Sequence, residues 1–347
     1  MKWTPERNLD MMLGSVDQIA GARRVILDDG SERGVRAVDV RPAGGIHALV
    51  LSDRGLDIGP ASHAGWPLHW QSTCEARHPT FFDGQNWLDN FHGGLMVTCG
   101  MQNVGPESEE DGKVFGLHGR VSNTPATDVS VQIEMSSGSP SAVVVSGRVR
   151  ETAVYGDDLT LDRTLRFAVG QPEISLTDVV TNSGHHPAVM MLLYHFNIGY
   201  PIVSPNSRLE IPNSKVTGFE EAVGREEEFN RFTNPSDKLE DLVYEHRVER
   251  SSQQVARLFN PTHTPTGGIG IDIKYNPSQL GQLWQWRMLS KGMYLIGIEP
   301  ANCGIRGRTI EHANGTVDVL EPGDTRTFDL LIEAFTGSVD PLDNKRC

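Results

Sequence analysis

Between Val129 and Val169 the apolar residues fall on every second position. Val129, Val131, Ile133 and Met135 alternate with Ser130, Gln132 and Glu134. Val143, Val145 and Val149 share one parity, and Leu159, Leu161, Leu165, Phe167 and Val169 enclose Thr160, Asp162, Thr164 and Arg166. Side chains of an extended chain point alternately to two faces, so this period predicts half-buried antiparallel strands. Phe328, Leu330 and Ile332 repeat the pattern less cleanly near the C-terminus. Turn residues separate the runs: the chain holds 36 Gly and 20 Pro, in clusters such as Asp28-Asp29-Gly30, Gly170-Gln171-Pro172 and Glu321-Pro322-Gly323-Asp324. Ser136-Ser137-Gly138-Ser139-Pro140 reads as a hairpin loop.

Helical stretches are few. Pro5 to Ala20 has an amphipathic character, and Phe219 to Asn230 is acidic and predicts a short exposed helix. No repeat of solenoid or propeller length and no interdomain tether occurs. The expected architecture is all-β, a large antiparallel β-sandwich with few short helices. The expected organisation is an N-terminal appendage over 1–24, a single β-sandwich domain over 25–338, and a tail over 339–347. With 347 residues, 38% of them hydrophobic, the chain can bury a substantial core without disulfides or a structural metal.

Charge narrows the partners. The formal charge of −14 disfavours phosphate backbones and anionic membranes, and no basic patch offsets it. Neither a nucleic acid nor a membrane is an expected partner; a small molecule is, with the chain a monomer or homodimer. The four cysteines, Cys74, Cys99, Cys303 and Cys347, are scattered without a CxxC pair, as thiols in a reducing compartment are. The first residues lack the apolar stretch of a signal peptide, so the expected location is cytoplasmic.

Four stretches carry candidate chemistry. In Phe115-Gly116-Leu117-His118-Gly119-Arg120, glycines leave His118 unshielded. In Met191 to Pro201, His195 and Asn197 share one face of an apolar strand, where polar groups at that spacing point to a lined pocket. In Tyr294 to Asn302, Glu299 closes an apolar run; a carboxylate there is costly unless paired, hydrogen-bonded or catalytic, and Arg306 or Arg308 would be its structural partner. Phe91 to Gly105 contributes His92 and Asn103, and it lacks the Gly-Lys-Ser/Thr ending of a phosphate loop. No metal site is expected: the adjacent His185 and His186 point to opposite faces of a strand and there is no HExxH, which leaves a three-His cupin-like site as a minor alternative.

In the order His118, His195, Glu299, these stretches resemble the aldose 1-epimerase (galactose mutarotase-like) superfamily. Leu117-His118-Gly119 matches its Leu-His-Gly motif; His195-Phe196-Asn197 resembles its strand histidine near Phe-Asn, which in the family lies two positions further from that pair, and Gly297-Ile298-Glu299 resembles its C-terminal glutamate. With Ser52-Asp53-Arg54-Gly55-Leu56-Asp57-Ile58-Gly59 and Gly94 to Gly105 added, the chain is most similar to a branch known as an aldose 1-epimerase-like domain of unknown function. The resemblance implies the family's large sandwich and a cofactor-free enzyme, an isomerase of carbohydrate metabolism that interconverts anomers of a free aldose. The family's Gly-Arg-x-x-Asn-Arg segment reads Cys99-Gly100-Met101-Gln102-Asn103 here, without its arginine, and Arg54 or Arg120 is expected to replace it.

Ring opening of an aldose needs one acid and one base on opposite sides of the hemiacetal. From unperturbed pKa values of about 4.3 and 6.5, Glu299 is expected as the base and His195 as the acid, with His118 holding the ring oxygen or a neighbouring hydroxyl. Trp284-Gln285-Trp286-Arg287 offers a wall for the apolar face of a sugar, with Trp286 the expected contact. Two other readings stay open: a non-catalytic carbohydrate-binding protein on the same scaffold, and an isomerase or lyase acting on an acidic sugar, for which Arg54, Arg120, Arg306 or Arg308 would form the clamp.

Overall fold

A computed structural model describes residues 9–248 and 253–338. Two large antiparallel sheets pack face to face. The first runs, in spatial order, through Ala20–Ile26, Arg36–Pro42, His47–Leu51, Asp57–His63, Met96–Met101, Ala188–Ile198, Met293–Ala301, Gln282–Ser290, Leu242–Val248 and Ser214–Phe219. The second runs through Thr127–Ser136, Ser139–Thr152, Asp158–Ala168, Glu173–Asn182, Thr325–Thr336, Ile269–Tyr275, Gln254–Asn260 and Arg208–Glu210. The alternating stretches of the sequence account for the second sheet. There Val143, Val145, Leu161, Leu165 and Phe167 turn inward and are fully buried, while Asp162 and Arg166 stay partly exposed. The expected hairpin loop is a two-residue turn, with Ser137 and Gly138 both at positive φ and Ser136 opposite Ser139. That geometry matches the twist of the paired strands.

Burial differs at the centre of the first sheet. Every residue of Ala188–Ile198 is buried, so no alternation is visible in its sequence. A strand covered on both sides reads as a continuous apolar run. Tyr194, Phe196 and Ile198 face the core between the sheets. Val189, Met191 and Leu193 face a second cluster, with Trp87, Phe91, Val97 and Trp284, on the outer side. His195 and Asn197 belong to that outer parity.

Three expectations change. Ala20 to Arg24 pair with Arg41 to Val38 and their neighbours in the edge strand, so these residues belong to the sheet and not to an appendage. The stretch Pro5 to Ala20 gives, within the described residues, only the turn Leu9–Met12 and a short 3-10 turn at Val16–Gln18; residues 1–8 and the expected tail 339–347 lie outside the described residues. The acidic segment from Phe219 to Asn230 forms two 3-10 turns, Glu220–Ala222 and Glu226–Glu228, separated by Gly224 at φ 79°. A left-handed glycine terminates a helix, which divides the segment. No helix among the described residues is long and apolar enough to cross a membrane.

Candidate active site

The register of the two central strands makes the site. Leu193 pairs with Ala301 and Phe196 with Ile298, which sets His195 directly opposite Glu299. Glu299 in turn pairs with Trp284, and Gly297 lies between Asn197 and Trp286. Two cross-strand rows, His195–Glu299–Trp284 and Asn197–Gly297–Trp286, therefore form a floor on the outer face of the sheet. His195 Nε2 approaches Glu299 Oε1 to 3.2 Å, without the alignment of a hydrogen bond. Gly297 is required at this point. A Cβ there would stand 2.4 Å from Glu299 Oε1, 2.9 Å from Trp286 Cβ and 3.3 Å from His195 Cε1.

Rings form the walls. Trp286 and Phe91 meet the His195 ring edge-on, each with centroids 5.4 Å away, and Trp87 stacks on Phe91 at 4.7 Å. His118 stands 4.8 Å from the Trp87 ring and 6.4 Å from His195. It holds φ 53°, and Gly119 beside it is also left-handed. A side chain on Gly119 would strike the Gly100 carbonyl at 2.1 Å, so the turn that presents His118 is closed to other residues. The Gly105 N–H donates to His118 Nδ1. That bond assigns the neutral ring its proton on Nε2, which makes this edge a hydrogen-bond donor. Trp286 and His118 are partly exposed and mark the side on which the site opens.

Burial sets the protonation. It pushes the Glu299 carboxyl up to about 8, with Asp241 adding to the shift. It pulls His195 down to about 3 and His118 down to about 4. Removing a group from water disfavours its charged form, whichever the sign. At neutral pH the site thus holds a protonated carboxyl beside two neutral imidazoles. These protonation states differ from those that unperturbed pKa values give Glu299 and His195, because such values do not hold at 5% exposure.

Four polar atoms in the two rows lack a hydrogen-bond partner among the described residues: His195 Nδ1, Glu299 Oε1, Asn197 Oδ1 and Trp284 Nε1. Buried polar groups are nearly always satisfied, and each orphan costs about 1–3 kcal/mol. Asn197 gives its own Nδ2 to the His195 carbonyl and keeps its oxygen free.

Not every expected residue joins this cluster. Arg54 is 1% exposed and donates to the carbonyls of Ser122, Arg77 and Asn90, so it braces loops. Burial holds His92 well below its ordinary value, and the neighbouring charges of Arg54 and His69 add to the shift. Asn103 gives Nδ2 to Pro106 and Gly116 and accepts from the Arg308 N–H. Arg120 turns to the Thr152 carbonyl and lies 3.9 Å from Glu151. Arg54, Asn103 and Arg120 are engaged with the scaffold and not with His195 and Glu299, while buried His92 keeps Nε2 without a partner among the described residues. Arg308, weighed as a structural partner of Glu299, pairs with Glu110 instead. Sequence reasoning missed Trp87 and Phe91, which lie in irregular chain, and Gly297. A lone glycine inside an apolar strand was the available signal for Gly297. Among the described residues no group of three His, Cys, Asp or Glu side chains is placed to hold a metal ion.

The profile of a domain of unknown function, DUF4432, matches residues 32–334. The chain belongs to the DUF4432 family. Its fold recurs in a Klebsiella pneumoniae protein provisionally named an aldose 1-epimerase, at 24% identity and a TM-score of 0.81, over 94% of this chain and 89% of that one. A galactose mutarotase-like protein from Clostridium acetobutylicum shares 11% identity at a TM-score of 0.61, over 93% and 100%. A galactose 1-epimerase from Lactobacillus acidophilus shares 11% at 0.59, over 91% and 99%. No curated protein matches the sequence significantly. The DUF4432 chain thus has the galactose mutarotase-like β-sandwich.

Proposed function

We propose that this DUF4432 protein interconverts the anomers of a free aldose by acid–base ring opening. The observation that carries the reading is the set of orphaned polar atoms on a floor walled by aromatic rings. A sugar supplies what that arrangement lacks: hydroxyls for the orphans and an apolar ring face for Trp286 or Phe91. The fold shared with proteins named as 1-epimerases and mutarotases supports the same reading.

The protons balance within the pair. Neutral His195 accepts the proton of O1–H while the Glu299 carboxyl gives its proton to the ring oxygen. The C1–O5 bond breaks and C1=O1 forms. The aldehyde turns about C1–C2, and reclosure on its other face returns both protons. His118 Nε2–H donates to the ring oxygen or an adjacent hydroxyl. Each positioned proton transfer contributes about 10²–10⁴-fold.

Glu299→Gln tests this. The amide keeps the shape of the carboxyl but neither gives nor takes the proton, so anomer exchange, followed by polarimetry or NMR, is expected to fall about 10²–10⁴-fold with the Tm retained. Unchanged exchange with a sharply lowered Tm would make Glu299 a structural group. Sugar binding without exchange in the wild type would favour a carbohydrate-binding protein. The pH profile separates the two assignments of roles: with Glu299 as the acid, kcat/KM falls as pH rises through about 8. With Glu299 as the base it rises there instead.

A further inference from the structure

We propose that Arg306 selects a sugar that carries an anionic group, carboxylate or phosphate, on the part of the molecule remote from the reacting carbon. The inference rests on the sugar-handling reading above and names the substrate class. It begins from a contrast among the arginines. Arg54 and Arg120 are committed to backbone carbonyls, Arg308 to Glu110, and Arg287 to the Arg231 carbonyl behind the sheet. The Arg306 guanidinium is exposed and, among the described residues, has neither a hydrogen bond nor a carboxylate within 4.0 Å. What sets Arg306 apart from those four is that its guanidinium is exposed and, among the described residues, touches only a ring.

Its position follows from both neighbours. On one side, the loop that carries it presses against Gly105, where a Cβ would fall 1.9 Å from the Ile305 carbonyl. The Gly105 N–H is the donor to His118. On the other side, the guanidinium lies over the Phe219 ring, 5.2 Å from its centroid. Phe219 meets Trp284 edge-on at 5.6 Å, and Trp284 is the cross-strand partner of Glu299. Arg306 is thus tied through its neighbour Ile305 and Gly105 to the turn of His118, and through Phe219 to Trp284 at the edge of the floor. The loop is pinned by the Arg306 N–H to Glu311 Oε1 at 3.0 Å and by the Gly307 N–H to the Val104 carbonyl at 3.1 Å.

A second observation on that wall points the same way. Trp284 Nε1 is buried and donates to nothing among the described residues. Two donor groups without acceptors flank one side of the site, and an anionic group is the chemistry that supplies acceptors and charge together. Asp241 accepts from the Trp286 indole and its charge acts on Glu299, which disfavours an anion at the Trp286 end of the floor.

The test compares a hexose, its uronate and its 6-phosphate with wild type, Arg306→Gln and Arg306→Lys, by calorimetric binding and by anomer exchange. Wild type is expected to prefer an anionic sugar over the neutral one by at least about tenfold. Arg306→Gln should lower that preference about 10- to 100-fold, the value of one charge-assisted hydrogen bond, and Arg306→Lys should retain part of it. The uronate and phosphate arms identify which anion fits. Equal binding of neutral and anionic sugars by wild type, or a preference that survives Arg306→Gln, would overturn the inference. If exchange of the neutral hexose depends on Glu299 while no anion preference exists, this inference alone fails. If an anionic sugar binds through Arg306 but wild type does not exchange its anomers, the proposed reaction fails and the role of Arg306 stands. If wild type neither binds nor exchanges any of the three, both fail.

Discussion

Two faces of one strand behave in opposite ways. On the inner face of Ala188–Ile198, the Tyr194 hydroxyl donates to Asp178 Oδ2 at 2.7 Å. Asp178 is bound by Arg163, which also reaches Asp57 Oδ1 at 2.7 Å and Thr98 Oγ1 at 2.8 Å. Arg163 and both aspartates have fully buried side chains. One residue along, on the outer face, His195 and Asn197 leave polar atoms unmatched among the described residues, and Glu299 opposite does the same. Burial alone does not explain the difference, since His195 and Glu299 are each only 5% exposed. The inner groups complete one another and the outer ones are arranged for something that enters.

Breaking the inner set should cost the most stability. Arg163→Met keeps much of the side-chain volume but leaves Asp57 and Asp178 buried without their cation. Asp57 retains Thr98 as a partner and Asp178 retains Tyr194, yet burial already pushes Asp57 above the usual carboxylate range. Removing one partner of a buried ion pair costs about 3–5 kcal/mol, so Tm should drop by on the order of 10 °C in thermal unfolding. Glu299→Gln, at equal burial, should leave Tm unchanged or raise it, as substitutions at strained functional groups do. Equal losses in the two variants would erase the distinction between the faces.

Gly297→Ala sharpens the contrast with a smaller effect. The added methyl meets Glu299 Oε1, Trp286 Cβ and His195 Cε1, so the floor must spread. Overpacking costs about 1–3 kcal/mol, and here the strain falls on the acid–base pair. Exchange is expected to fall roughly 10- to 100-fold, since misplacement of about 1 Å has that order of effect. The expected Tm change is a few degrees. Full exchange activity in this variant would mean that the pair tolerates displacement and that Gly297 serves the strand alone.

The contrast between the faces also explains what the sequence discloses. Period-2 stretches such as Leu159 to Val169 reveal the second sheet because one of its faces is wet. The strand bearing His195 lacks that signal because both of its faces are covered. His118, His195, Asn197, Glu299 and Trp286 were nominated by residue type and local pattern, and the fold brings them together. His92 and Asn103 follow from the same reasoning, and Arg54 and Arg120 from the arginine that the family's segment lacks here. A polar residue beside glycines looks alike in sequence whether it binds a backbone carbonyl, as Asn103 does at Gly116, or awaits a ligand. Trp87 and Phe91 reach the site from a stretch without periodic pattern, so only the tertiary structure identifies them. The protonation of Glu299 was illegible for a related reason: its burial comes from chain segments distant in sequence.

That protonation gives the smallest predicted effect and a direct check on the outer face. Below about 4.5, the ordinary value for Glu, both folded and unfolded chains carry the Glu299 proton. Between about 4.5 and about 8 only the folded chain does, so the group's contribution to stability declines as pH rises, and above about 8 the loss is complete. His195, His118 and His246, lowered to about 3, 4 and 4, act in the opposite sense: they are protonated in the unfolded chain below about 6.5, and stability falls as pH falls. The two trends oppose each other between about 4.5 and 6.5. From pH 6.5 to 8 Glu299 acts without the histidines, with a slope of about 1.4 kcal/mol per pH unit at most. Glu151, raised to about 7 by its own burial, contributes in the lower part of this window in both wild type and variant and drops out of their difference. Glu299→Gln should therefore lose less stability than wild type on going from pH 6.5 to 8, by up to about 2 kcal/mol in urea titrations. A parallel pH dependence in the two proteins would mean that Glu299 is ionised in the fold at neutral pH. It would then act as the base, and the pair would differ from the inner network only in size.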